Sequence, residues 1–170
     1  MRWPNLLVLA VAWMTGVGAL AQMPTYRFGR TPTADEVKAM DTYAGPAGKE
    51  LPPGKGTAQE GAPIYARKCA HCHGANGEGG AGFPRLVGGG IHIHPFATTI
   101  WSFINSSMPR ALPDAGMRAE VLPADEVYAL TAFILFKNNI INEADIMDAR
   151  SLPRVRMPKR DPRLDRLAPR

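Results

Sequence analysis

The sequence predicts a small all-α domain with long loops and extended N- and C-terminal segments. Three observations carry that prediction. One segment, Pro123 to Lys137, has a clear helical apolar period, with Val127, Leu130 and Ile134 recurring at i, i+3 and i+7. No stretch shows the alternating pattern of a strand, and no internal repeat appears. Finally, 17 glycines and 16 prolines in 170 residues commit much of the chain to loop and turn. Apolar residues at 45% and charged residues at 21% are ordinary for a globular protein and exclude wholesale disorder.

The elements follow in order. Met1-Arg2, the apolar run Leu6 to Leu20 and the small-x-small pattern Ala19-Leu20-Ala21 read as a secretory signal over residues 1–21. That predicts export to an oxidising compartment, a bacterial periplasm, with no membrane span once the signal is cleaved. Residues 22–56 form a leader with Tyr26 and Phe28 as apolar anchors. It holds a short helix opened by the capping box Thr33-Ala34-Asp35-Glu36. A second helix is predicted from Thr57 to Lys68. The glycine-rich residues 74–95 read as loop. A third helix over Ala97 to Asn105 would present Ile100, Phe103 and Ile104 on one side. For Pro123 to Lys137, proline suits the first turn, Asp125 and Glu126 suit the helix dipole, and Asn138-Asn139 supply a stop.

The net charge of +5 is concentrated at one end. Residues 150–170 hold eight basic side chains against Asp161 and Asp165, a net +6, which leaves the body mildly acidic. A basic tail could touch nucleic acid, anionic lipid or an acidic partner face, but its commonest reading is a solvated terminus, and no nucleic-acid partner is expected. Ile146, Met147, Leu152, Val155 and Met157 lie in this 143–170 tail. The tail is expected to lie extended over a partner or over the domain of residues 57–142, with those apolar residues docked.

Cys69-Ala70-His71-Cys72-His73 is C-x-x-C-H, the attachment signature of c-type haem. One helical turn sets two thiols under two porphyrin vinyl groups, and the next residue sets an imidazole on the iron. A thioredoxin-like dithiol needs a βαβ context that is missing. Zinc held by Cys69, Cys72, His92 and His94 would have an unusual spacing. With an export signal and both cysteines inside the motif, one covalent haem c is the reading. The second axial ligand comes from Met108, Met117, Met147, Met157, His92 or His94. Met108 is the expected one, because it lies between the two later helices on the loop that must cross the open haem face. A thioether there raises the reduction potential and suits electron transfer. His92 and His94 are expected to be solvent-exposed.

The order C-x-x-C-H-G, then Phe83-Pro84-Arg85-Leu86, a Met-Pro loop and a C-terminal helix resembles class I cytochrome c. The resemblance implies that fold, with small helices around one haem. It also implies that the Pro84 carbonyl accepts the Nδ1–H bond of His73, and that Pro84 and Arg85 belong to the haem surroundings with Cys69, Cys72, His73 and Met108. The runs Y-R-F-G-R, F-P-R-L-V-G-G-G, P-F-A-T-T-I-W, S-S-M-P and D-A-R-S-L-P-R-V-R-M-P are similar to those of the cytochrome subunits of Sox sulfane dehydrogenases and their sulfite dehydrogenase relatives. Larger members carry a second haem domain, and this sequence has one C-x-x-C-H. The resemblance implies a chain that is no enzyme by itself. It would accept electrons from a molybdenum-cofactor (molybdopterin) dehydrogenase subunit and pass them to a downstream cytochrome or oxidase. The alternative is a free diffusible carrier serving a terminal oxidase. A thiolate-ligated haem catalyst is excluded, because no third cysteine exists.

Overall fold

The computed structural model describes residues 29–40, 43–80, 82–111 and 118–167. The expected signal over 1–21, the anchors Tyr26 and Phe28, and Met117 lie outside the described residues. The chain divides into two compact units, residues 1–34 and 35–170. Described residues 29–33 of the first hold no regular element. Helix α1 spans Ala34–Met40 and carries Asp35 and Glu36 in its first turn.

The body of the second unit is α2 (Ala58–Lys68), the single turn α3 (Ala70–His73), α4 (Ala97–Ser107) and α5 (Ala124–Lys137). Among the described residues 3-10 segments accompany them at Gly90–Ile93, Leu152–Arg154 and Pro162–Leu167. Thr57 opens α2 with a full capping box, its Oγ1 accepting from the Glu60 amide while the Glu60 carboxylate accepts from the Thr57 amide at 2.8 Å. No helix among the described residues is long and apolar enough to cross a membrane.

The core lies between α2, α4 and α5. Helix α5 packs chiefly on α2, and two glycines allow the approach. A Cβ at Gly61 would run into the Ala129 carbonyl, and one at Gly56 into the Ala129 backbone. Tyr128, fully buried, donates its hydroxyl to the Pro52 carbonyl at 2.9 Å, and burial pushes its pKa up to about 12. In α4 the buried stripe is Ala97, Ile100, Trp101 and Ile104, the i, i+3, i+4, i+7 series. Phe103 falls off that stripe and is 46% exposed, contrary to its expected place beside Ile100 and Ile104.

Two further features differ from the sequence reading. A two-stranded antiparallel sheet exists, pairing Lys55–Gly56 (β1) with Met147–Asp148 (β2). Strands of two residues are too short to show a period, and Gly56 is there because α5 presses against it. In the tail, expected to lie over a partner or over the 57–142 domain with its apolar residues docked, Ile146 is instead 52% exposed. Met147, Leu152 and Met157 belong to the same core cluster as the helices, as does Leu51 from the leader. The Arg160 guanidinium lies 5.0 Å above the Phe96 ring and its Nε is 2.9 Å from Asp165 Oδ1. Segments assigned by sequence to leader and tail therefore complete the core of the intervening helices.

Candidate functional site

Helix α2 runs directly into the cysteine motif. The Cys69 amide donates to the Tyr65 carbonyl at 2.9 Å, and the His73 amide to the Cys69 carbonyl at 3.0 Å. One turn thus carries Cys69, Cys72 and His73. Both cysteines are free thiols and half-buried. Burial pushes the Cys69 thiol up to about 11, with the charge of Cys72 adding and Lys68 opposing. Among the described residues no three His, Cys, Asp or Glu side chains cluster as metal ligands, so the zinc alternative with His92 and His94 gains nothing.

His73 is 7% exposed, and its Nδ1 lies 2.9 Å from the Pro84 carbonyl oxygen. A carbonyl only accepts, so Nδ1 carries the proton and Nε2 keeps its lone pair for a metal. The loop that delivers Pro84 is closed on itself. Leu86 and Val87 both donate to the Gly77 carbonyl at 2.9 Å, and Gly79 donates to the His73 carbonyl at 2.7 Å. Arg85 is exposed, and its Nε donates to the Glu78 carbonyl at 3.3 Å, a contact that helps close the loop.

Met108 is half-buried at the C-cap of α4, its amide donating to the Ile104 carbonyl at 3.1 Å. It lines a cavity together with Glu120 and Val121. Lys68, the residue before Cys69, places Nζ 2.7 Å from Glu120 and 3.1 Å from Glu126. Lys68 thereby ties the end of α2 to Glu120, one of the residues lining the cavity beside Met108. Met147 and Met157, by contrast, are 4% and 2% exposed inside the apolar core.

The residues present fit a haem c. Besides the thiols and the oriented imidazole, His92 Nε2, Thr98 Oγ1 and Trp101 Nε1 are buried polar atoms without a hydrogen-bond partner. Thr98 and Trp101 stand one turn apart on α4, and the acidic side groups of a porphyrin are acceptors that would satisfy such donors. His92 and His94 are half-buried, where exposure was expected. Tyr65 was missed by sequence reasoning. Its hydroxyl donates to the Gly74 carbonyl at 2.8 Å, just past the motif, and its ring packs 4.9 Å from Phe133. Its position four residues before Cys69 was the available signal.

Residues 56–134 match the family model described as cytochrome c oxidase, cbb3-type, subunit III. No curated protein matches the chain. A chain of the crystal structure of the sulfane dehydrogenase SoxCD from Paracoccus pantotrophus is similar at 29% identity, with a TM-score of 0.64. The match covers 79% of this chain and 69% of that one.

Proposed function

We propose, from the premise that residues 56–134 are a cytochrome c domain with covalently bound haem c, that this chain is the electron-accepting partner of a molybdenum-cofactor dehydrogenase. The dehydrogenase subunit would oxidise sulfite or another reduced sulfur compound. This chain would pass the electrons singly to a downstream cytochrome or oxidase in the periplasm, performing no substrate chemistry itself. Bound haem supplies a one-electron ferric–ferrous couple. Cys69 and Cys72 would hold the group by thioethers, and His73 and Met108 would ligate its iron. The Pro84 carbonyl fixes the His73 tautomer, and Arg85 steadies the loop that carries it. The observation that supports the partner is the 29% identity to a chain of a sulfane dehydrogenase over 79% of this chain.

The experiment is purification of the native protein with an affinity tag at its C-terminus. A molybdenum-containing subunit should co-elute in stoichiometric amount, and sulfite or thiosulfate should reduce the haem of the co-eluted complex. A chain that elutes alone and is reduced by neither compound in the presence of its own periplasmic extract would sink the dehydrogenase reading and leave a diffusible carrier.

A further inference from the structure

Asn138 sits at the C-cap of α5, where the sequence marks it only as a helix stop. Its side chain does more than end the helix. The residue is 7% exposed. Nδ2 donates to the Ile134 carbonyl at 2.8 Å and to the Leu86 carbonyl at 2.9 Å, and Oδ1 accepts from the Gly88 amide at 3.1 Å. Both amide protons and one acceptor position are therefore used. Two of the three bonds leave α5 and reach the loop that carries Pro84.

The geometry of that loop gives those bonds a consequence. Leu86 and Gly88 lie two and four residues beyond Pro84, whose carbonyl receives His73 Nδ1 at 2.9 Å. From inside, the loop is tied to the Gly77 carbonyl by the Leu86 and Val87 amides. From outside, Asn138 ties it to the helix that packs on α2, the helix leading into Cys69. The loop is thus referenced to the same helix pair that sets the position of the histidine. Hydrogen-bond strength falls steeply with distance and angle. A loop free to swing would weaken the His73–Pro84 bond before anything else in the site changed.

We propose that Asn138 is a positioning residue. By holding the main chain at Leu86 and Gly88 it keeps the Pro84 carbonyl on His73 Nδ1, and so sets how strongly the imidazole donates to iron. This rests on the reading of His73 as an axial ligand. An acceptor on the far nitrogen raises ligand basicity and favours ferric iron. Loosening it therefore shifts the midpoint potential upward.

The test uses the full-length holoprotein and Asn138→Ala, with Thr131→Val as control. Thr131 is also buried on α5, but its hydroxyl donates to the Val127 carbonyl of its own helix at 2.7 Å. In ferrous protein followed by NMR, Asn138→Ala should exchange the His73 ring proton at least tenfold faster than the parent, with a more positive potential. Thr131→Val should keep both parent values. A folded Asn138→Ala with parent exchange and potential overturns the proposal, as does a Thr131→Val that moves both equally. If Asn138→Ala does not fold, the parent decides. Its His73 ring proton and its Gly88 amide should exchange through one opening with the same urea dependence, and independent openings overturn the proposal. A parent whose His73 signals show no haem-induced shift removes the ligand reading as well, a result distinct from unchanged Asn138→Ala values.

Discussion

Leu152→Ala distinguishes a tail that belongs to its own domain from one held ready for a partner. Leu152 is fully buried in the core, and Met157, five residues on, is 2% exposed. Truncating a buried Leu or Met to Ala costs about 2–5 kcal/mol, the lost transfer energy plus the cavity left behind. Against a total stability of about 5–15 kcal/mol for a domain, either change is a large fraction. Ile146 in the same segment is 52% exposed, so Ile146→Ala is expected to stay within about 0.5 kcal/mol. The assay is urea unfolding of the isolated chain, followed by far-ultraviolet circular dichroism. With a urea slope of about 2 kcal/mol per molar, the midpoint for Leu152→Ala falls by about 1–2.5 M, and the midpoint for Ile146→Ala barely moves. Because the contact is apolar, the shift is the same at low and high salt. The exposed pairs Arg163–Asp161 and Arg156–Asp165 contribute little at either. A Leu152→Ala midpoint equal to the parent's, with weakened binding to a dehydrogenase subunit instead, would refute the reasoning and return the tail to the partner.

Three further outcomes are expected. Met108→Ala should abolish the weak far-red sulfur-to-iron band of the oxidised protein and lower its potential, while Met157→Ala keeps the band and loses about 2–5 kcal/mol in urea unfolding. Cys69→Ala with Cys72→Ala should yield a chain that no longer stains for haem on a denaturing gel, and haem staining that survives would exclude thioether attachment. The Asp148 carboxyl is held below the ordinary carboxylate range by the amides of Ser151 and Arg150 on its Oδ1, each at 2.7 Å. A group so depressed contributes stability above its unfolded pKa, about 3.9, and loses it as pH falls through the folded value. Asp148→Asn should therefore destabilise the protein at pH 7, and the difference from the parent should shrink below about pH 4; a pH-independent difference would contradict the assignment.

What the sequence disclosed and what it hid divide along physical lines. The helix at 124–137 was legible from its apolar run and its end signals, while that at 58–68 was read without a period and that at 97–107 only as far as Asn105. The haem motif was legible because covalent chemistry demands fixed spacing. Phe103 was misplaced because a nine-residue reading of α4 admits two neighbouring stripes, and only the packing of Trp101 against Tyr128 selects one. The β1–β2 pair joins residues more than 90 positions apart through strands of two residues, so no local pattern announces it. The same holds for Asn138, whose carboxamide reads as a helix stop until its bonds to Leu86 and Gly88 are seen.

Those hidden contacts share one property, which bears on how the domain works. Each ties a long glycine-rich or basic segment back onto the α2–α5 pair: Tyr65 on Gly74, Asn138 on Leu86, Lys68 on Glu120, Tyr128 on Pro52. Electron transfer asks a protein for little motion, since the ligands should keep their geometry in both oxidation states. A chain with this many loops would not provide that from loop structure alone. Here α2 ends on the cysteine motif, Asn138 at the end of α5 holds Leu86, two residues past the Pro84 that accepts from His73, and Lys68 at the end of α2 holds Glu120. These ties converge on one helix crossing, made close by Gly61 against Ala129. A methyl group at Gly61 would meet the Ala129 carbonyl and push α2 from α5, and because α2 runs into Cys69 while α5 carries Asn138, its effect is expected in the haem spectrum as well as in the stability.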